Sequence, residues 1–249
     1  MEIHRPKPWH GLRELAKEVG VIVIGVLLAL GGEQLVEALH RGEQARLAER
    51  AMRLELAEDD GPQAYGRVVI GPCLGNRIAS IHDAALTAPS DELRKQVAAY
   101  APPFRTWDSE AWKAVVSSDI ANVMGAERLV EWSAAYRTVP RLNDINARED
   151  DLAAELREAL PPSGEASAAE RQNLRRLAGL LRNANVGLTL GSQLLLARSG
   201  RLDAPVSVRT QQSLLRQARA LYGACVTAPD LAAPGAAQSP AANLRSSFR

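Results

Sequence analysis

Apolar residues follow two different patterns along this chain. From Val19 to Gly32 the sequence reads VGVIVIGVLLALGG, an uncharged run bracketed by Glu18 and Glu33. Beyond it, apolar positions recur at steps of three and four, the period of an amphipathic helix. The cleanest case is Leu174, Leu177, Leu181, Ala184, Leu188, Gly191 and Leu195, the seam of a coiled coil or helical bundle. Small residues at Ala184 and Gly191 would let a neighbouring helix approach closely. This periodicity predicts a helix from about Ala168 to Arg198, stopped by Ser199-Gly200.

The other elements follow from the same reading. Residues 33–60 continue the uncharged run as one helix, with Leu47, Met52, Leu54 and Leu56 on its apolar side. It is expected to break at Asp59-Asp60-Gly61-Pro62. A second helix over Pro62–Ala88 carries Leu74, Ile78 and Ile81, with a kink expected at Gly71-Pro72, where proline removes a donor and crowds the preceding turn. His82 and Asp83 are adjacent, on different sides of that helix rather than in a dyad. A short helix over Ser90–Tyr100 and a turn at Ala101–Phe104 come next. Thr106 or Asp108 then caps a helix running to about Ser118. There Trp112, Val116 and Ile120 form a buried stripe at four-residue steps. Ala126–Leu160 reads as one kinked helix or two abutting ones, because Pro140 falls inside its stripe. The last helix, Pro205–Cys225, buries Leu214, Leu215, Ala218, Leu221 and Tyr222. From Ala228 onward the composition is that of a disordered tail. No run of alternating β-branched residues interrupts this series, so the fold class is all-α: an N-terminal transmembrane helix continuing into a bundle of four to six helices.

The uncharged run alone would span about 21 Å, short of the roughly 30 Å hydrocarbon core of a bilayer. Its flanks lengthen it. Leu12, Leu15 and Ala16 precede it, Leu35, Val36 and Leu39 follow it, and Trp9 sits where an interfacial aromatic belongs. Ala29-Leu30-Gly31 resembles a signal-peptide cleavage site, and a buried soluble helix is the other rival. The long preceding segment with Glu14 and Glu18 close to the core fits a retained anchor better than a short basic leader. Arg5, Lys7, Arg13 and Lys17 precede the run, whereas only Arg41 and Arg46 follow closely. This asymmetry places the N-terminus in the cytoplasm. The expected division is a cytoplasmic segment over 1–18, an anchor over 19–39, an extracytoplasmic bundle over 40–227 and a tail over 228–249. Gly25, Ala29 and Gly32 form a narrow small-residue stripe of the kind that lets two anchors pack as a homodimer.

Charge and composition narrow the function. With 30 Lys and Arg against 29 Asp and Glu, the chain lacks the basic excess of a nucleic-acid binder. Four histidines lie far apart, and no nucleophile elbow, phosphate loop, zinc-ligand pair or dinucleotide fingerprint is present. No catalytic residue, metal or cofactor is expected, and the chain reads as non-enzymatic. Glu149, Asp150 and Asp151 would fan around a helix surface, and Arg171, Arg175, Arg176 and Arg182 form a solvated basic face. Trp107, Trp112, Trp132 and Tyr136 are the one group from which an aromatic-lined ligand pocket could be built; core packing is the plainer use of them. In a periplasmic bundle Cys73 and Cys225 would form a disulfide, closing a loop of about 150 residues worth roughly 5 kcal/mol in chain entropy. In the cytosol both would be buried thiols.

The opening stretch PKPWHG-LRE-LAKEVGVIVIGVLLALGGEQLVE resembles the N-termini of a group of uncharacterised single-pass membrane proteins of proteobacteria. These share a short basic segment, a KE-I-G-I-VIG-VL-ALG type helix and an acidic helix after it. TWDSEAWKAVVSS is similar to their tryptophan-containing segments. The resemblance covers the first forty residues or so and implies an inner-membrane anchor bearing a periplasmic helical region. It implies no activity. Two functional expectations follow: a membrane-anchored interaction or sensory module contacting lipid and an envelope protein, or a periplasmic domain that binds a small ligand.

Overall fold

The computed structural model describes residues 12–229, and every described element is helical. The expected features of residues 1–11, Trp9 among them, and of the tail from 230 onward lie outside the described residues. A single helical rod opens the fold. It comprises α1 (Leu12–Leu54), a π-helical segment (Glu55–Asp60) and α2 (Gly61–Ala84), with no interruption between them. After the rod come α3 (Ser90–Ala99), α4 (Glu110–Val116), α5 (Ile120–Met124), α6 (Ala126–Tyr136), α7 (Thr138–Glu158), α8 (Ala168–Arg201) and α9 (Val208–Tyr222), which ends in a 3₁₀ turn over Gly223–Cys225.

The rod corrects one expectation. Gly61-Pro62 does not break the helix. The Gly61 N–H donates to the Leu56 carbonyl, five residues back, and Pro62 falls in the first turn of α2, where a missing N–H is tolerated. The helix also runs on through Pro72. Of the four residues assigned to the apolar side of this stretch, Met52 and Leu56, four apart, are buried, whereas Leu47 and Leu54, seven apart on another face, stay more than half exposed.

Elsewhere Pro140 takes its tolerated place in the first turn of α7, which divides 126–160 into two helices. The stripe Trp112–Val116–Ile120 does not form, because the chain turns between α4 and α5; Val115 is buried and Val116 is half exposed. α8 begins on a full capping box, Ser167 with Glu170. The last helix starts at Val208 rather than Pro205, capped by Ser207, and Leu221 points to solvent.

α2 and α8 form the central antiparallel pair, with α7 and α9 laid against them. Gly191 does the work expected of it, since a Cβ there would lie 2.8 Å from Leu142 of α7. Its face is partly exposed, however, and Ser192 takes the buried seam position. One core cluster joins the upper part of α2 to α7, α8 and α9; a second surrounds the π-helical segment. Arg171 is not part of a free basic face. It folds onto the turn after α2, donating to the carbonyls of Ala85 and Ala88 and to Ser90 Oγ.

Candidate functional site

Within the rod, Asp60, Ala64, Arg67, Gly71, Leu74, Ile78 and Ile81 are all buried and follow steps of four and three. Two charged residues therefore stand in a hydrophobic seam. Arg67, wholly buried, forms a two-pronged ion pair with Glu149 of α7, Nη1 to Oε2 at 2.6 Å and Nη2 to Oε1 at 2.7 Å. Its Nη2 also donates to Asn185 Oδ1 of α8 at 2.6 Å, and Asn185 Nδ2 donates to the Gly71 carbonyl at 3.1 Å. The Tyr100 hydroxyl donates to Glu149 Oε1 at 3.3 Å, and burial with the adjacent carboxylate pushes its pKa up. Glu149, expected on the surface, thus sits in the same layer as Arg67 and Asn185. One polar residue from each of α2, α7 and α8 closes the network. Ion pairs of this geometry are strong, but burying them costs several kcal/mol of desolvation per ion.

A strap over 101–109 lies between the rod and α7, held by side chains rather than by regular structure. Asn143 accepts from the Trp107 N–H at 3.1 Å and donates to its carbonyl at 2.8 Å, and Asn146 donates to the Arg105 carbonyl at 2.9 Å. From the rod, Asp60 Oδ1 accepts from the Asp108 N–H at 2.7 Å, and Glu55 Oε2 accepts from the Ala111 N–H at 2.9 Å. The Arg105 guanidinium lies against Gly66, where a Cβ would come within 2.9 Å of two of its nitrogens, and donates to Gln63. Burial, with Arg67 nearby, lowers its pKa to about 10. Burial dominates at Asp60 as well, raising its carboxyl to about 8, with the like charges of Glu55 and Asp108 adding to the effect. The π-helical segment therefore carries two carboxyl groups, one holding the strap and the other the first turn of α4, and neither has an ion-pair partner among the described residues.

The four aromatics singled out in the sequence do come together here. Trp132 and Tyr136 lie 6.4 Å apart, and Trp112 stacks on Tyr136 at 5.6 Å with planes 8° apart. Trp107, Trp132 and Tyr136 are buried in the cluster around the π-helical segment, and Trp112 covers its edge. The Tyr136 hydroxyl donates to the Met52 carbonyl at 3.1 Å, and Arg53 and Arg128 lie over the Trp132 ring. Two open grooves among the described residues have other linings.

Cys73 and Cys225 are joined in a disulfide that ties the rod to the 3₁₀ turn after α9 across a sequence separation of 152. His82 Nδ1 lies 3.0 Å from Asp83 Oδ1, so the adjacent pair does interact, at the surface. No group of three His, Cys, Asp or Glu side chains is placed to hold a metal ion among the described residues. Gly25, Ala29 and Gly32 lie on the exposed part of α1, with open space around both glycines. Along that part, from Val19 to Leu39, large apolar side chains are about half exposed or more, and the helix is long and apolar enough to cross a membrane. Comparison with models of known families, with curated proteins and with solved structures yields no match.

The seam positions carried a signal that sequence reading passed over. Asp60 and Arg67 share the rod's heptad, and Asn146 and Glu149 fall in step with Leu142, Ala153 and Leu156. A charged residue in phase with a leucine seam is the mark of a buried polar layer. Adjacency to Asp150 and Asp151 obscured it at Glu149.

Proposed function

We propose that this chain is a single-pass, non-enzymatic module anchored in a bacterial inner membrane, with its N-terminus cytoplasmic and its bundle periplasmic, serving envelope interaction or sensing. The observation that carries the reading is the rod. The apolar surface of α1 requires an apolar surround, which a bilayer supplies, and the same helix becomes the central element of the bundle. Rotation or tilt of the bundle core is thereby passed to the anchor without an intervening hinge loop. Resemblance of the N-terminus to the proteobacterial single-pass group supports the location, as does a disulfide suited to an oxidising compartment. Gly25, Ala29 and Gly32 would let the anchors of two copies pair, so that the bundle reports through the geometry of a dimer.

Fusion of a reporter to the C-terminus tests this. A phosphatase that folds only outside the cytoplasm is expected to be active there, and a fluorescent protein that matures only in the cytoplasm is expected to be dark. The opposite pair of results would overturn the orientation, and recovery of the full chain in the soluble fraction would overturn the anchor.

A further inference from the structure

α7 and α8 leave a groove of about 450 Å³ between them, within the usual range for small-molecule sites. Its apolar wall is the stripe Leu190–Leu194 of α8, with Ile145 of α7 opposite. Leu190 and Leu194 are 55% and 44% exposed, four residues apart on one face of α8. Gly187 and Gly191 deepen the floor, since neither puts a side chain into it. One end of the groove is different. Arg137, Arg141 and Arg198 meet there, and none of them is within ion-pair distance of a carboxylate among the described residues. Arg198 is fixed by donation to the Ala134 carbonyl and to Thr138 Oγ1, and its charged neighbours are arginines, Arg137 and Arg201.

An apolar channel ending in three uncompensated guanidinium groups has a definite complement. The geometry points to a binding site for a single-chain carboxylate amphiphile of the fatty-acid class, with its head on Arg137, Arg141 and Arg198 and its chain along Leu190 and Leu194. Guanidinium forks match the planar carboxylate. The groove's own lining holds no carboxylate, so a second copy of it offers nothing to neutralise the three arginines, which disfavours self-association through this face. The groove also lies too far along the rod for a two-chain lipid still seated in the bilayer. Leu202, just past its arginine end, accepts from Arg53, and Thr189, near its other end, packs at Gly71. These contacts place it about 20–50 Å along the helix from Leu39. A single-chain amphiphile can leave the bilayer and reach it. That distance argument rests on the anchor reading; occupancy of the groove does not depend on which side of the membrane the bundle faces, so either can fail alone.

The test is equilibrium binding of radiolabelled laurate to the full chain in phosphatidylcholine nanodiscs, free of detergent that would compete, with empty nanodiscs giving the partition background. Saturable binding of one laurate per chain is expected, at least tenfold tighter than dodecanol. It should weaken tenfold or more in R137Q/R141Q and in L190D. All of these positions are solvent-exposed, and unchanged helix content and thermal midpoint show that the variants fold. Laurate uptake no greater than that of empty nanodiscs would overturn the site. Folded variants that bind like the parent would overturn its placement. Saturable binding of dodecyl phosphate with none of laurate would overturn the carboxylate assignment.

Discussion

At Arg67 the side chain has no route to solvent, so its charge is stabilised only by what α7 and α8 bring to it. Glu149→Gln keeps the shape and removes the counter-charge, and an uncompensated buried guanidinium costs about 3–5 kcal/mol. The urea midpoint is expected to fall accordingly. R67M/E149L, an apolar pair of similar bulk, should regain most of the loss because neither ion then needs desolvating; a double variant no more stable than E149Q would contradict this account. Asp60 answers to pH instead. Its carboxyl titrates near 3.8 when the chain is unfolded and at about 8 in the folded protein. Between those values the folded chain keeps a proton that the unfolded chain has released. The stabilisation is therefore full below about pH 4, declines as pH rises towards 8 and then levels off. Asp60→Asn keeps the acceptor for the Asp108 N–H and removes the titration. Relative to the parent, its stability should rise across that window, by about 1.4 kcal/mol for each pH unit between the two pKa values. Denaturation curves from pH 4 to 9 would check this, and a difference independent of pH would refute the assignment.

Element boundaries show where local rules hold and where packing overrides them. α8 was legible almost to its ends through its leucine seam, but Ser199-Gly200 does not stop it, and the helix runs on to Arg201. The break expected at Gly61-Pro62 was not realised, because a local breaker rule cannot see Val206 packed on one side of Gly61 or the five-residue hydrogen bond to Leu56 on the other. The polar layer was legible in principle through heptad phase, but only by aligning three helices whose mutual register the sequence does not state. The strap and the α7–α8 groove were not legible at all. The strap is fixed by side chains from distant elements, and the groove exists only where two helices diverge. The π-helical turn makes its own prediction. A Cβ at Gly61 would lie 2.5 Å from the Leu56 carbonyl oxygen and 2.7 Å from Val206 Cγ2. Gly61→Ala should therefore cost about 1–3 kcal/mol. Gly179→Ala, in the middle of α8 with open space around it, should gain about 0.5–1 kcal/mol from helix propensity alone. Thermal midpoints moving in opposite directions for two identical substitutions would separate close packing from propensity; parallel shifts would not.

On the scale of the whole molecule, the rod gives the bundle its axis and the disulfide closes it. Cys73 lies in the core of α2, and Cys225 belongs to the turn after α9, so the bond holds the end of α9 against the rod. Noncovalent attachment there is thin. α9 buries only Ala218 fully, with Leu214, Leu215 and Tyr222 partly covered, and the Tyr222 hydroxyl reaches the Ala101 carbonyl at 3.3 Å. α2, α7 and α8 are joined instead by broad seams and by the Arg67–Glu149–Asn185 layer. Removing the bond should therefore act unevenly. Global stability is expected to drop by about 2–5 kcal/mol, the upper end being the loop-closure entropy of so long a ring. Local opening should be confined to α9 and the segment after it. Hydrogen exchange on the C73S/C225S variant would resolve the two effects, with amides of Val208–Tyr222 losing protection by a larger factor than amides of α2 and α8. Equal loss in all three helices would mean that α9 is an integral part of the cooperative core rather than a strap fastened to it.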